Sequence, residues 1–266
     1  MSISGILIAT AIVGATGLFI GVFLGLAGKK FAVEVDEKEE LVLEALPGNN
    51  CGACGYPGCS GLAAAIAKGE AEVGACPVGG APVAAAISEI MGIEAGALIR
   101  KVAYVKCAGD CESAKQNYDY YGVEDCVIMN MMQDGGPKKC NYGCLGGGTC
   151  MRACPFGAIY MENGIAKVDK ALCRSCEKCV QSCPKHIIEM VPETEQYWVM
   201  CASMDKGKDV MAACSVGCIG CKMCEKACEF DAVKVVDNIA HIDADKCTNC
   251  GACAEKCPKK IIFKVS

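Results

Sequence analysis

The stretch CIGCKMCEKACEFDAVKVVDNIAHIDADKCTNCGACAEKCP, residues 218–258, decides how this chain is read. It carries C-x2-C-x2-C-x3-C twice, as Cys218, Cys221, Cys224 and Cys228 and, after 18 intervening residues, as Cys247, Cys250, Cys253 and Cys257 followed by Pro258. Three close thiolates and a distant fourth suit the corners of a 4Fe-4S cubane. The same pattern has already occurred once. Adding 74 to Cys140, Cys144, Cys150, Cys154, Cys173, Cys176, Cys179 and Cys183 gives Cys214, Cys218, Cys224, Cys228, Cys247, Cys250, Cys253 and Cys257, and sets Gly147 opposite Cys221. One module is used twice.

This spacing is that of two-cluster bacterial ferredoxins, in which the fourth Cys of each run ligates the other cluster. The second copy is therefore expected to hold one cluster on Cys218, Cys221, Cys224 and Cys257 and its neighbour on Cys247, Cys250, Cys253 and Cys228, leaving Cys214 spare. In the first copy Gly147 stands where the middle ligand is due. Cys140 is expected to replace it, giving Cys140, Cys144, Cys150 and Cys183 beside Cys173, Cys176, Cys179 and Cys154; a three-iron cluster with an open corner is the alternative. The segments PFGAIYMENGIAKVD and EFDAVKVVDNIAHID alternate like short hairpins. VAYVK before Cys107 and YWVM before Cys201 read as strands leading into the two modules, so the fold class expected is α+β.

Upstream lies CGACGYPGC, residues 51–59, followed by Cys76-Pro77. Cys51, Cys54, Cys59 and Cys76 make a further four-thiolate set, with Gly52, Gly55 and Gly58 allowing a tight loop whose amides turn toward sulfur. A short helix is expected before Pro47-Gly48, a second through GLAAAIAKGEAEVGA, and a third from Pro82 to Met91 ending at Gly92. Five 4Fe-4S clusters account for twenty of the 25 cysteines. Cys107, Cys111, Cys126, Cys201 and Cys214 remain; a sixth cluster on Cys107, Cys111 and Cys126 lacks an evident fourth ligand. Buried cysteine as a small hydrophobe is the plain reading of these five.

No charged residue occurs from Met1 to Gly28, after which come Lys29 and Lys30. The stretch is long enough to cross a bilayer as a helix, and it lacks the basic leader and shorter core of a cleaved signal. An uncleaved anchor is expected, embedded in lipid through residues 3–28. The lysines after it put the iron-sulfur part on the cytoplasmic side. Gly17, Gly21 and Gly25 form a small-residue series suited to docking on another membrane helix. The formal charge of −5 and the absence of a basic stripe exclude nucleic acid as the main partner. A secreted disulfide framework does not produce repeated triplets with Cys-Pro, and structural zinc needs paired C-x2-C units. Cys214-x3-Cys218-x2-Cys221 matches a radical S-adenosylmethionine spacing, yet no barrel-sized domain follows it. No nucleotide, flavin or nicotinamide motif is evident, and His186 and His241 fall in or beside the hairpins rather than among the ligands.

The order of parts, an apolar span ending in GKKFAVEVD, then CGACGYPGC, then two ferredoxin repeats, resembles the B subunits of Rnf complexes, the ion-translocating ferredoxin:NAD oxidoreductases of bacterial membranes. The resemblance covers essentially the whole chain. It implies an electron-transfer subunit of an oxidoreductase that takes electrons from reduced soluble ferredoxin and passes them toward other subunits of the membrane complex, which reduce NAD and move sodium ions or protons. Four parts follow: anchor (1–30), four-cysteine domain (31–100), first module with its strand and insertion (101–195), and second module (196–266). The crowded Lys256, Lys259, Lys260 and Lys264 would steer an acidic ferredoxin. The other function class in view is a membrane-tethered reductant of an iron-sulfur regulator; a polyferredoxin domain of a corrinoid-linked enzyme would leave the apolar span unexplained.

Overall fold

Uninterrupted apolar sequence at one end and short, turn-punctuated strands at the other give two kinds of structure. A computed structural model describes residues 3–30, 37–94, 96 and 99–265. Helix α1 (Ile3–Lys30) runs 28 residues without a break, roughly 42 Å at the α-helical rise. Within it, side chains are described at Ser4 and from Ile12 to Ala27; all but Ala27 are exposed. Among the described residues no helix is long and apolar enough to cross a membrane. The acidic lead at Glu34 and Asp36 lies outside the described residues.

Helix α2 (Glu37–Ala45) opens with Glu37, Glu39 and Glu40 in its first turn, where the helix dipole favours negative charge, and stops short of Pro47. Helix α3 (Cys59–Ala67) ends earlier than its alanine-rich sequence suggests. Gly69 takes φ +74° there, so the chain turns back and a loop rather than a helix delivers Cys76. Helix α4 (Gly80–Met91) ends at Gly92 in the left-handed conformation, φ 70°, which glycine adopts without steric cost. Val42, Leu62, Ile66 and Ile87, each at most 1% exposed, lock the three helices together over Cys76.

The first module comprises β1 (Lys101–Val105), α5 (Cys126–Asn130), α6 (Thr149–Ala153), β2 (Ile159–Glu162), β3 (Ile165–Val168), α7 (Lys178–Ser182) and β4 (Ile188–Pro192). The second comprises β5 (Tyr197–Val199), α8 (Gly207–Ala213), α9 (Met223–Ala227), β6 (Val233–Val236), β7 (Ile239–Ile242), α10 (Ala252–Glu255) and β8 (Ile262–Lys264). Both hairpins are antiparallel, with Ile159 opposite Val168 and Val233 opposite Ile242. Each turns on two residues of positive φ, Asn163 and Gly164 in one, Asp237 and Asn238 in the other. That pair of dihedrals matches the twist of the flanking strands.

The strand before each module closes on the module's last strand: β1 pairs with β4 and β5 with β8, both antiparallel. These small sheets leave much of the interior to cysteine. Cys144, Cys150, Cys173 and Cys179 belong to the first core, and Cys201, Cys218, Cys224 and Cys253 to the second. The cores meet. Trp198 of β5 is buried in the first core, 4.8 Å from the Tyr104 ring and with Lys170 Nζ 4.5 Å from its own ring centre. The Ala108 N–H donates to the Met200 carbonyl at 2.9 Å, and the Lys115 N–H to that of Ala213 at 2.9 Å.

Candidate iron-sulfur sites

The loop carrying Cys51, Cys54 and Cys59 coils because its glycines permit it: Gly52, Gly55 and Gly58 all have positive φ. The Cys59 N–H donates to Asn50 Oδ1 at 2.7 Å, pinning the loop to the start of α3. Cys76 lies in the field of Cys54 and Cys59, and the Gly79 N–H donates to its sulfur at 3.4 Å. Burial, before any other cause, pushes the Cys76 thiol up.

In the second module Cys218, Cys221, Cys224 and Cys257 line one cavity of ≈ 340 Å³. The loop bearing the first two sits tight against the β6–β7 turn, since a methyl added at Gly220 would lie 2.8 Å from the Asn238 carbonyl oxygen. Cys247, Cys250 and Cys228 surround Cys253, whose thiol burial pushes up to about 11. In the first module Cys154, Cys173, Cys176 and Cys179 line a cavity of ≈ 320 Å³. Burial, reinforced by Cys173, Cys176 and Cys154, takes Cys179 to about 12. Thiols of such high pKa are neutral at pH 7, and iron is the kind of cation that would let them ionise.

The remaining set of the first module differs from the sequence expectation. Cys144, Cys150 and Cys183 line a cavity of ≈ 330 Å³ with Cys126, and Cys140 is not among its lining residues. Cys126, rather than the expected Cys140, thus shares this cavity with the three. The physical cause is the insertion between β1 and α6. Asp125 caps α5, accepting from the amides of Val127 and Ile128. Its carboxylate also takes the Thr149 hydroxyl at 3.0 Å and Arg152 at 2.8 Å, while the Cys126 N–H donates to Thr149 Oγ1 at 2.7 Å. This clamp lays α5 over the start of α6. A Cβ at Gly147 would then stand 2.9 Å from the Cys126 nitrogen and 2.9 Å from Met129 Sδ. A side chain at 147 and the present position of Cys126 therefore exclude one another. A glycine at the ligand position together with a cysteine in a nearby insertion was the available signal.

Three of the other unassigned cysteines, Cys107, Cys201 and Cys214, line a different cavity together with Cys140. Cys111 is exposed, its thiol donating to the Asn163 carbonyl at 2.9 Å.

A tetrahedral zinc site brings its sulfurs to about 3.8 Å of one another, from a Zn–S length of about 2.3 Å. Among the described residues no group of three His, Cys, Asp or Glu side chains is arranged to hold one metal ion. Three of the sets are neighbours: Cys176 lies in the field of Cys51, and Cys150 in that of Cys179.

Comparison with known proteins agrees with this geometry. An Fe-S cluster family model matches residues 46–78, and 4Fe-4S dicluster domain models match residues 139–188 and 217–261. The chain is 50% identical over 98% of its length to the B subunit of the Na(+)-translocating ferredoxin:NAD(+) oxidoreductase complex of Acetobacterium woodii, covering 78% of that protein. It is 44% identical over 95% of its length to the B subunit of the ion-translocating oxidoreductase complex of Methanosarcina acetivorans, covering 96% of it. It is 40% identical over 91% of its length to the B subunit of the proton-translocating ferredoxin:NAD(+) oxidoreductase complex of Clostridium ljungdahlii, covering 86% of it. With cluster-binding domains in the same places and such likeness over nearly its full length, the chain belongs to the B-subunit family of ion-translocating ferredoxin:NAD(+) oxidoreductase (Rnf) complexes, in which it serves electron transfer.

Proposed function

We propose that this subunit receives electrons from reduced soluble ferredoxin at its second module and delivers them, through the first module, to the four-cysteine domain and on to other membrane subunits of the complex. The observation that carries this reading is the run of four-thiol sites, in which Cys176 lies in the field of Cys51 and Cys150 in that of Cys179, so that the four-cysteine domain and both sites of the first module are neighbours. When bound, 4Fe-4S clusters supply low-potential one-electron carriers. The chain's own residues set their places and bury half of the twenty ligand cysteines. Twenty ligands make up the five sets: Cys51, Cys54, Cys59 and Cys76; Cys154, Cys173, Cys176 and Cys179; Cys126, Cys144, Cys150 and Cys183; Cys218, Cys221, Cys224 and Cys257; Cys228, Cys247, Cys250 and Cys253.

Helix α1 serves as the anchor. What supports this is the absence of any charged residue from Met1 to Gly28 in the sequence and the 62–72% exposure of Leu18, Phe19, Phe23 and Leu24, apolar surface that lipid would cover. Domain limits at residues 30, 100 and 195 follow from the same parts. The entry surface lies near the C-terminus, where Lys256, Lys260 and Lys264 are exposed. Lys259 is held inward, donating to the Ser215 carbonyl at 2.6 Å.

The test is direct. Full-length chain, purified anaerobically in detergent, is mixed with reduced ferredoxin, and bleaching of its iron-sulfur absorbance is followed. Rapid bleaching that slows with added salt supports the proposal; an iron-loaded chain that stays oxidised overturns it.

A further inference from the structure

Two of the twenty ligand cysteines stand open to solvent, Cys221 and Cys250, and both belong to the second module. Their counterparts in the first module are closed. A side chain at Gly147 would run into α5, and Cys176 is 7% exposed with Cys51 in its field. The segment from Cys201 to Cys214 lacks the insertion that carries α5, so nothing equivalent covers Cys221.

The two open ligands differ in the charge around them. Lys222 and Lys259 line the cavity of Cys221, and Lys222, Lys226 and Lys260 are exposed. Those three have no ion pair among the described residues. Lys222 caps α9 and Lys226 stands four residues on, so the two share a face. Glu225, the one acid of that helix, accepts from the Val235 N–H at 3.1 Å, and Met223, 46% exposed, adds apolar surface. In the first module the equivalent cations are missing or used: Gly148 stands in place of Lys222, and Arg152, in place of Lys226, is paired with Asp125 at 2.8 Å. Lys222 also holds a left-handed backbone, φ +59°, where Gly148 has φ +67°; a position that glycine fills without strain carries a lysine in the copy whose corner is open. Around Cys250 the loop is uncharged, with Thr248, Asn249, Gly251 and Ala252. Acidic groups gather on that side, since Cys247 lies in the field of Glu195, and Glu195 in that of Asp243 and Asp245.

We propose that Lys222, Lys226 and Lys260 form the docking collar for the acidic electron donor and bring its redox centre over Cys221, so that electrons enter at the site of Cys218, Cys221, Cys224 and Cys257 and not at that of Cys250. This rests on the proposed function, which brings electrons from reduced soluble ferredoxin to the second module, and it narrows entry to one of that module's two sites. The step is the transfer of one electron: the donor is oxidised and this site reduced, with no bond made or broken and no proton moved. Opposite charge speeds encounter and fixes orientation, and an exposed ligand leaves no polypeptide between the two centres. In the first module α5 closes the corresponding corner, which keeps the donor from bypassing the second.

The experiment uses the full chain, loaded with iron anaerobically in detergent, and ferredoxin as the probe. Its Kd is measured at low and high salt for the parent, for Lys222→Glu/Lys226→Glu and for Thr248→Glu beside Cys250, and contacts are mapped by carbodiimide coupling of lysines to ferredoxin carboxylates, read by mass spectrometry. The expected result is binding about tenfold weaker for the double variant at low salt, a difference largely lost at high salt, coupling at Lys222, Lys226 and Lys260, and little change for Thr248→Glu. Unchanged binding by the double variant, or coupling confined to other lysines, would overturn the collar while leaving ferredoxin as the donor; a parent that neither binds ferredoxin nor takes its electrons would remove the proposed function as well. If the double variant fails to load iron, Lys222→Gly decides, since glycine suits that backbone: it should match the parent in Tm and iron content yet bind ferredoxin about twofold to threefold more weakly at low salt, and binding as tight as the parent's would overturn the proposal.

Discussion

Replacing Gly147 by Cys restores the ferredoxin spacing in the first module, and the structure says this repair should do harm. Gly147 has no positive φ, so the backbone accepts a side chain and the penalty is steric. The new Cβ would meet the Cys126 nitrogen at 2.9 Å, Met129 Sδ at 2.9 Å and the Asp125 carbonyl carbon at 3.0 Å. Two of these are main-chain atoms of a segment clamped by Asp125, Thr149 and Arg152, so α5 must move as a unit. Overpacking against such a wall costs about 1–3 kcal/mol, or roughly 2–12 °C in Tm for a chain of this size. The assay is thermal loss of iron-sulfur absorbance under anaerobic conditions, with Cys126→Ala as comparator. Cys126→Ala keeps the clamp, because Asp125, Thr149 and the amide of residue 126 remain, but loses the ligand: its site should drop from a four-iron to a three-iron signal. Combining Gly147→Cys with Cys126→Ala should regain some of the four-iron signal. A Gly147→Cys chain as stable as the parent, or a Cys126→Ala chain with all its four-iron signal, would refute the placement of α5.

Glu195 is buried with Oε1 unpaired, and burial first, then Asp243 and Asp245, pushes its carboxyl from 4.5 up to about 7. A raised folded-state pKa means that stability falls as pH climbs from about 4.5 to about 7, by up to about 3 kcal/mol; the Tm advantage of Glu195→Gln over the parent should grow between pH 5.5 and pH 7.5, and a constant difference would contradict this burial. Charge reversal at Lys256 and Lys260, both exposed, should slow reduction by ferredoxin several-fold at low ionic strength and much less at high salt; an unchanged salt dependence would place the entry surface elsewhere. Iodoacetamide should label Cys111 alone in the loaded chain and should add the exposed Cys221 and Cys250 once iron is stripped. Labelling of Cys221 in the loaded chain would show that it holds no cluster.

Covalent spacing is legible because it is local. The triplets, the fourth cysteine before proline, and the turns at Asn163-Gly164 and Asp237-Asn238 each depend on neighbours a few residues away, and the strands before Cys107 and Cys201 announce themselves by composition. Cys126 is not legible in this way, since its place depends on how an insertion folds back over α6, and nothing in its immediate sequence records that. Cys140 shows the converse. It lies close to Cys144 in the chain, yet nearness in sequence does not put the two thiols in one cavity. The early end of α3 at Gly69 has the same origin, because an alanine-rich segment carries no record of where its packing partners stop.

From sequence alone come the chemistry of the ligands, the duplication of the module and the number of residues able to bind iron. Tertiary structure alone decided which thiols share a cavity, exchanging Cys140 for Cys126 and gathering Cys107, Cys140, Cys201 and Cys214 between the modules. The reason is that a cubane takes ligands from wherever the backbone brings sulfur within reach, and that proximity is created by packing between distant segments rather than by their spacing along the chain.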